Sequence, residues 1–437
     1  MKKKDIVIGI NWEQNSTAAL MVDGQILACV SEERFSRVKN DERYPKKAID
    51  WLISEFDIKK KDISKICVIS DVWAPGYILT RHYTQFSIDD YIKEQKDVWY
   101  QRIYNKKKVS QVNVFKNKID LNQYPGKKFW FKILNKTKKQ IDHVSNKKII
   151  EVGKKIRSEV IKNHLNVLEE KIFFIDHSTG HAAFSYFSRR KRESSLVLTL
   201  DAFGDYVNYT AWKFTATKRT LKYKKFVSGG NFIIGRLYRY ITLILGLKPN
   251  EHEYKVMGLA PYCKDRYFIN VKKIFQKFQH VRGLKFTDIK KPKDLYFDVK
   301  KKLDGQRFDA VAGGLQSYTE DLIIKWVKNC IKRTKLKSIT LAGGVAMNVK
   351  TNLLISKINK KVNLFVPPSP DDSSQAMGAC YAYYLLYDKN EIKKLKPLKD
   401  AYLGPSAEIN FNIKKNFNEK KYRIIKKNIN NVAAKLL

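Results

Sequence analysis

Short apolar runs separated by polar, turn-forming residues mark the start of the chain. Asp5 to Ile10 reads as a strand, Asn11 to Thr17 as a polar turn, and Ala18 to Val22 as a second strand. Asp23-Gly24 is a tight hairpin signal, and Gln25 to Ser31 a third strand. The plan returns further on: Ser195 to Leu200 is a strand, Asp201 to Tyr206 a polar turn containing glycine, Tyr209 to Thr215 a second strand and Leu221 to Val227 a third. Two copies of one β-turn-β-β unit, about 190 residues apart, predict two related lobes facing each other. Lys337 to Leu341 is a further strand that feeds the small-residue turn Ala342-Gly343-Gly344-Val345-Ala346 and a helix from Met347. Phe365-Val366-Pro367-Pro368 and the loop Ser369 to Ser374 lead into a small-residue helix, Gln375 to Tyr384.

Two regions break this pattern. Residues 85–150 are rich in lysine and aromatics without clear periodicity, as expected of an insertion that caps a cleft or forms a lid. Residues 386–437 follow the second unit; Leu395 to Leu403 reads as a linker, and Asn428 to Leu437 as the start of an amphipathic helix with no C-cap signal. The expected organisation is a first lobe at 1–190 carrying the 85–150 insertion, a second lobe at 191–385, and at 386–437 a linker with the beginning of a further domain.

Composition adds exclusions. The chain has 437 residues, 43% hydrophobic and 30% charged, which is globular. No apolar run reaches the ~20 residues of a membrane helix, and Met1 to Asp5 runs into a strand without a signal-peptide core, so a cytoplasmic protein without membrane contact is expected. Lys and Arg number 86 against 43 acidic residues, a formal charge of +43. The bases are spread along the whole chain, so a nucleic-acid partner is not the reading favoured, and Arg189 to Arg192 and Lys300 to Lys302 read as solvated surface. The five cysteines form no CxxC pair, which removes zinc-knuckle readings.

The chemistry lies in the turns. His177 and His181 follow the apolar run Ile172 to Ile175, and a spacing of four puts both imidazoles on one helix face, able to hold one metal ion, with Asp176 as a further ligand or supporting group. Asp372 is the carboxylate best placed to complete such a site, although an Asp ahead of a helix also serves as an N-cap. The Asp201-Ala202-Phe203-Gly204-Asp205 turn can approach phosphate through backbone N–H groups and position a cation through Asp, and the Gly343-Gly344 turn can direct backbone N–H groups toward an anion. Together these parts describe an α/β protein with an anion-binding cleft between two RNase-H-like lobes, as in the actin, Hsp70 and sugar-kinase (ASKHA) superfamily.

A longer run is more specific. Pro249 to Tyr262, PNEHEYKVMGLAPY, resembles a signature of the NodU/CmcH carbamoyltransferase family. In matching order come Val22-Asp23-Gly24, Glu32 to Arg37, Asp176-His177 through Ala183, Thr199-Leu200-Asp201, then Leu341 to Asn348, Phe365 to Pro368 with Gly378, and Tyr402 to Pro405. The resemblance implies O-carbamoyl transfer from carbamoyl-adenylate, made from ATP and carbamoyl phosphate, to a hydroxyl of a small molecule or sugar. The chain is similar to the N-terminal transfer domain, itself similar to tRNA threonylcarbamoyl transferases. A C-terminal domain, in cis or on a separate chain, would make the adenylate, and a homodimer is compatible with the family. By resemblance, His177, His181 and Asp372 bind a divalent metal (iron, manganese, zinc or magnesium), and the loops of Asp201, Gly204, Gly343 and Gly344 hold nucleotide. Lys255 and Asn348 lie near the cleft.

Three departures from the family pattern stand out. Gln14 stands where the family has a histidine placed to act as base toward the acceptor; glutamine cannot accept that proton, which leaves neighbouring Glu13 or no base. Ala202 replaces a glycine after Asp201. The adenylate-forming domain is not in this sequence. The competing readings are a degenerate relative that binds nucleotide without turnover and an ATP-dependent sugar kinase of the same fold.

Overall fold

The structure is a computed structural model of the chain, and it describes residues 4–119, 147–217, 220–406 and 428–436. Residues 1–403 form one compact unit and 404–437 a second, in which Ile429–Leu436 is helical.

The first sheet has the order β3-β2-β1-β4-β5, built from β1 (Ile6–Asn11), β2 (Thr17–Val22), β3 (Gln25–Ser31), β4 (Ile63–Ile69) and β5 (Ile172–Ile175). β1 is buried along its whole length, as a central strand covered on both faces must be, whereas β3 at the edge alternates. The β2–β3 turn is Asp23-Gly24 with φ of 48° and 77°, the doubly positive conformation that matches the twist of a two-residue hairpin. The second sheet repeats the order as β8-β7-β6-β11-β12, from β6 (Ser195–Leu200), β7 (Tyr209–Ala216) and β8 (Leu221–Gly229), with the small hairpin β9 (Gln279–Arg282) and β10 (Lys285–Asp288) standing apart, and β11 (Ser338–Ala342) and β12 (Asn363–Phe365) closing it. In each sheet three antiparallel strands are followed by two parallel ones. The repeated β-turn-β-β unit thus stands at the head of each of two RNase-H-like sheets.

The two halves exchange helices. Helix His177–Phe187 leaves β5 of the first sheet and packs on β6 and β11 of the second, whereas helix Gln375–Leu386, which follows β12, packs on β1, β2 and β4. The helices also pack on each other, and glycine makes the approach feasible. A Cβ on Gly378 would stand 2.5 Å from the Gly180 carbonyl oxygen, one on Gly180 would stand 2.2 Å from Gln375 Oε1, and one on Gly9 of β1 would stand 1.9 Å from the Ala376 carbonyl. A buried layer containing Val7, Met21, Ile69, Phe184, Tyr381, Val197 and Phe214 joins both sheets through these helices.

Within the insertion, Phe86, Tyr91, Val98 and Phe115 form a buried cluster with Leu243 and Tyr296, so its described part packs against the second half; its remainder at 120–146 lies outside the described residues. One sequence expectation is corrected. Arg189 is buried, not solvated: it hydrogen-bonds Ser195 Oγ at 2.9 Å, Ser338 Oγ at 2.7 Å and Glu193 Oε1 at 2.7 Å, and Arg192 donates to the Leu395 carbonyl. A guanidinium can satisfy several acceptors at once, which is what the end of a sheet offers.

The close helix contact makes a prediction. Gly378→Ala should destabilise the protein by about 1–3 kcal/mol through overpacking, measured by urea unfolding, whereas Gly258→Ala, where a Cβ meets nothing within 4 Å, should not.

Candidate functional site

The site is assembled where the exchanged helices begin. Asp176 caps helix His177–Phe187: its Oδ1 accepts from Thr179 N at 3.0 Å and from Ser178 Oγ at 2.8 Å, which commits it to the helix end rather than to a ligand role. That cap sets His177 and His181 on the first turns with their Nε2 atoms 3.2 Å apart, and both rings are buried. Asp372 does not cap. Its backbone carbonyl accepts from Asn11 Nδ2, and its Oδ1, buried and without a hydrogen bond among the described residues, lies 3.4 Å from His177 Nε2 and 3.3 Å from His181 Nε2. Asp201 enters the same space: its Oδ2 is 3.1 Å from His181 Nε2 and 3.5 Å from His177 Nε2. One ligand atom from each of His177, His181, Asp201 and Asp372 lies within 4.8 Å of every other.

These spacings fit a metal. Bonds of about 2.1 Å set neighbouring ligand atoms about 3.0–3.4 Å apart, close to the observed separations. The surroundings agree with that reading. Glu13 Oε2 lies 3.1 Å from His177 Nδ1, the usual way a carboxylate orients a ligating imidazole. Gly344 N donates to Asp201 Oδ2 at 3.0 Å and Ala202 N donates to Oδ1 at 2.6 Å, which fix that carboxylate. Imidazole nitrogens with carboxylates suit iron, manganese or zinc better than magnesium.

The electrostatics show what the cluster favours. Burial would depress the imidazoles, yet Asp372, Asp201 and Glu13 together hold His177 well above its ordinary range, and His181 is raised by Asp201 and Asp372. Burial would lift Asp201, but hydrogen bonds from the two histidines overcome it and hold the carboxyl low. Burial pushes Glu13 up. In a chain of formal charge +43, this spot gathers carboxylates around two imidazoles and calls for a cation.

Other expected residues fall into different places. Gly204 lies under the imidazole: a Cβ there would meet His177 Cδ2 at 2.5 Å. Gly343, with φ of 97°, lets the chain pass Leu200, whose carbonyl a Cβ would meet at 2.2 Å. The Ala202 methyl is accommodated by Gly235, where a Cβ would lie 2.7 Å from it. Asn348 is buried and caps helix Val349–Ser356 through Thr351 N, inside a network with Gln316 and Tyr238. Lys255 sits beside the Tyr254 ring, and its ammonium makes no hydrogen bond or ion pair among the described residues. Gln14 Nε2 donates to the Asn250 carbonyl at 2.9 Å. Asp205 had no separate role assigned from sequence. Its carboxylate accepts from Ser70 Oγ, Asp71 N, Val72 N and His177 N at 2.6–2.9 Å, tying the end of β4 to the turn after β6; only long-range folding brings these donors together.

A two-lobed α/β fold with a histidine–carboxylate cluster in its cleft defines the class. Residues 6–381 match the model of the carbamoyltransferase N-terminus family, and the chain belongs to that family of transferases. It is 24% identical to an uncharacterised Synechocystis protein over 91% of this chain and 60% of that protein, and 23% identical to the nodulation protein NolNO of Sinorhizobium fredii over 90% and 49%. A tRNA N6-adenosine threonylcarbamoyltransferase of Borreliella burgdorferi is 28% identical over 23% of this chain and 31% of that protein. The chain thus spans roughly half to two thirds of the length of the first two. Among solved structures, the activator of 2-hydroxyisocaproyl-CoA dehydratase from Clostridium difficile with bound ADPNP aligns over 90% of this chain and all of that one, at 10% identity and a TM-score of 0.37.

The raised imidazole predicts a pH dependence. Metal-free, His177 contributes stability that is fully present below its ordinary value of 6.5 and is lost as pH rises through its higher folded value. In chelator, urea midpoints should therefore fall from pH 6 to pH 9; His177→Gln should flatten that slope, and a bound divalent ion should offset it.

Proposed function

We propose that this chain transfers a carbamoyl group from carbamoyl-adenylate to a hydroxyl of a small molecule or sugar. The observation that carries the reading is the convergence of His177, His181, Asp201 and Asp372 on one point of the cleft, in a chain of the carbamoyltransferase N-terminus family. These four residues would hold a divalent ion, which supplies positive charge against the adenylate phosphate and eases departure of the leaving group.

The chain's own residues do the rest. Glu13 keeps His177 in the tautomer that points Nε2 into the cluster. The Gly343-Gly344 turn and the Asp201 turn would offer backbone N–H groups to a nucleotide phosphate. Carbamoyl-adenylate is a mixed anhydride, so orientation of the acceptor, removal of its proton and exclusion of water are the remaining tasks.

ATP, carbamoyl phosphate and an adenylate-forming domain, in cis or as a partner, belong to the same proposal, as does a cytoplasmic setting where those metabolites occur. We read residues 1–190 and 191–385 as the two lobes that form the cleft. No helix of the described residues is long and apolar enough to cross a membrane, and the reading requires no membrane or nucleic acid. The engagement of Gln14 with a backbone carbonyl favours one rival, a relative that binds adenylate without turnover.

Supplied with carbamoyl-adenylate and a polyol, the chain should release AMP in step with carbamate ester, and Asp372→Asn should slow this by about 100-fold or more. Tight adenylate binding with no AMP release above buffer would establish the rival.

A further inference from the structure

The proposed transfer leaves one role unfilled, since Gln14 cannot take a proton and Glu13 is engaged with His177. We propose that the cavity beside Gln14 receives the hydroxyl acceptor and that the carboxylate of Glu42 accepts its proton. The inference rests on the carbamoyl-transfer reading and names its acceptor site and base.

The cavity measures about 310 Å³, and Arg37, Glu42, Arg81, His82, Tyr91 and Asn250 are among its walls. That volume is at the small end of ligand sites and suits a molecule of sugar size. It is linked to the histidine cluster through the turn between β1 and β2. Gln14 Nε2 and Asn40 Nδ2 both donate to the Asn250 carbonyl, at 2.9 and 3.4 Å, and Ser16 N donates to the Asp41 carbonyl at 2.7 Å. The turn between β1 and β2 therefore contacts His177 through Glu13 and, through Gln14, the cavity-lining residue Asn250.

Most acids of the cavity are occupied. Asp41 is gripped by Arg43 through two bonds of 2.8 and 2.5 Å, and Glu251 is paired with Lys248 and, at 3.8 Å, with Lys39. Glu42 is different. It accepts no hydrogen bond among the described residues, its side chain is 20% exposed, and the nearest base is His82, with Nε2 at 3.5 Å. His82 is buried, and burial together with Arg81 pushes it down to about 3, so it stays neutral and leaves Glu42 unneutralised. The charges facing Glu42 come from four elements: Arg81 and His82 from helix 75–82, Arg239 from helix Ile234–Ile244, Lys248 and Glu251 from the loop after it, and Asp41 and Arg43 from its own segment. Burial raises the carboxyl and outweighs the three cations Arg81, Arg239 and Lys248, which lower it; it comes to about 7. A carboxylate poised near neutrality is what general-base catalysis on a hydroxyl favours.

The step balances. The hydroxyl gives its proton to Glu42 as its oxygen bonds to the carbamoyl carbon. The bond from that carbon to the phosphate-bridging oxygen breaks, and AMP leaves with the electron pair. The products are the carbamate ester, AMP and a protonated Glu42, which returns its proton to solvent.

The test compares two nucleophiles with the chain supplied with carbamoyl-adenylate: glycerol as a polyol probe, and hydroxylamine, whose neutral nitrogen attacks before it loses a proton. With glycerol the wild-type rate should rise with pH through the region of 7, and Glu42→Gln should lower it about 100-fold and flatten the profile. Hydroxyurea formation from hydroxylamine should be unchanged in the variant, which also shows that the variant folds. Unchanged glycerol transfer in Glu42→Gln, or a parallel loss with hydroxylamine, would overturn the role of Glu42 while leaving carbamoyl transfer standing. A wild-type chain that carbamoylates neither nucleophile above buffer would overturn both.

Discussion

The close packing of helix His177–Phe187 against helix Gln375–Leu386 determines where the site's side chains lie. It depends on Gly180 and Gly378, because a methyl group at either would collide with an oxygen of the other helix. Each helix comes from one half of the fold and packs on the sheet of the other, so their contact sets the spacing between the halves. The His177–His181 pair stands on the first turns of one helix and Asp372 just before the other. A separation set by glycine contact, rather than by longer side chains, holds these groups a little over 3 Å apart.

Around that contact the protein concentrates charge against its own average. The chain carries +43, yet Glu13, Asp201 and Asp372 surround two buried imidazoles. The neighbouring carboxylates raise His177 and His181, and the histidines in turn hold Asp201 low. A buried cluster of this composition is costly unless paired or ligating. The same site thereby links stability, protonation and the capacity to hold a cation.

Much of the fold was legible in the sequence because its signals are local. Asp23-Gly24 marked a hairpin, and the recurrence of the β-turn-β-β unit at 195–227 announced a second sheet of the same order. The histidine pair was legible from its spacing. What escaped depended on distant partners. Asp201 was read in a turn that approaches phosphate and positions a cation; that its side chain meets both histidines depends on long-range folding. Asp176 was offered as a ligand or support and serves as the helix cap. Asn348 satisfies a buried network. Arg189 was read as surface because a run of four bases looks solvated, whereas its acceptors come from β6, β11 and Glu193. Glu42 carried no signal at all, since the burial and the arginines that tune it come from the 75–82 and 234–244 helices.

The most direct measurement is single-turnover carbamoyl transfer against bound metal, with metal-stripped chain titrated with manganese, iron or zinc and the ion content of each sample determined. The account predicts a rate that rises in proportion to bound ion and saturates at one ion per chain, with no such rise in a His177→Ala, His181→Ala double variant. Transfer that is undiminished in fully stripped protein, or equal in the double variant, would contradict it.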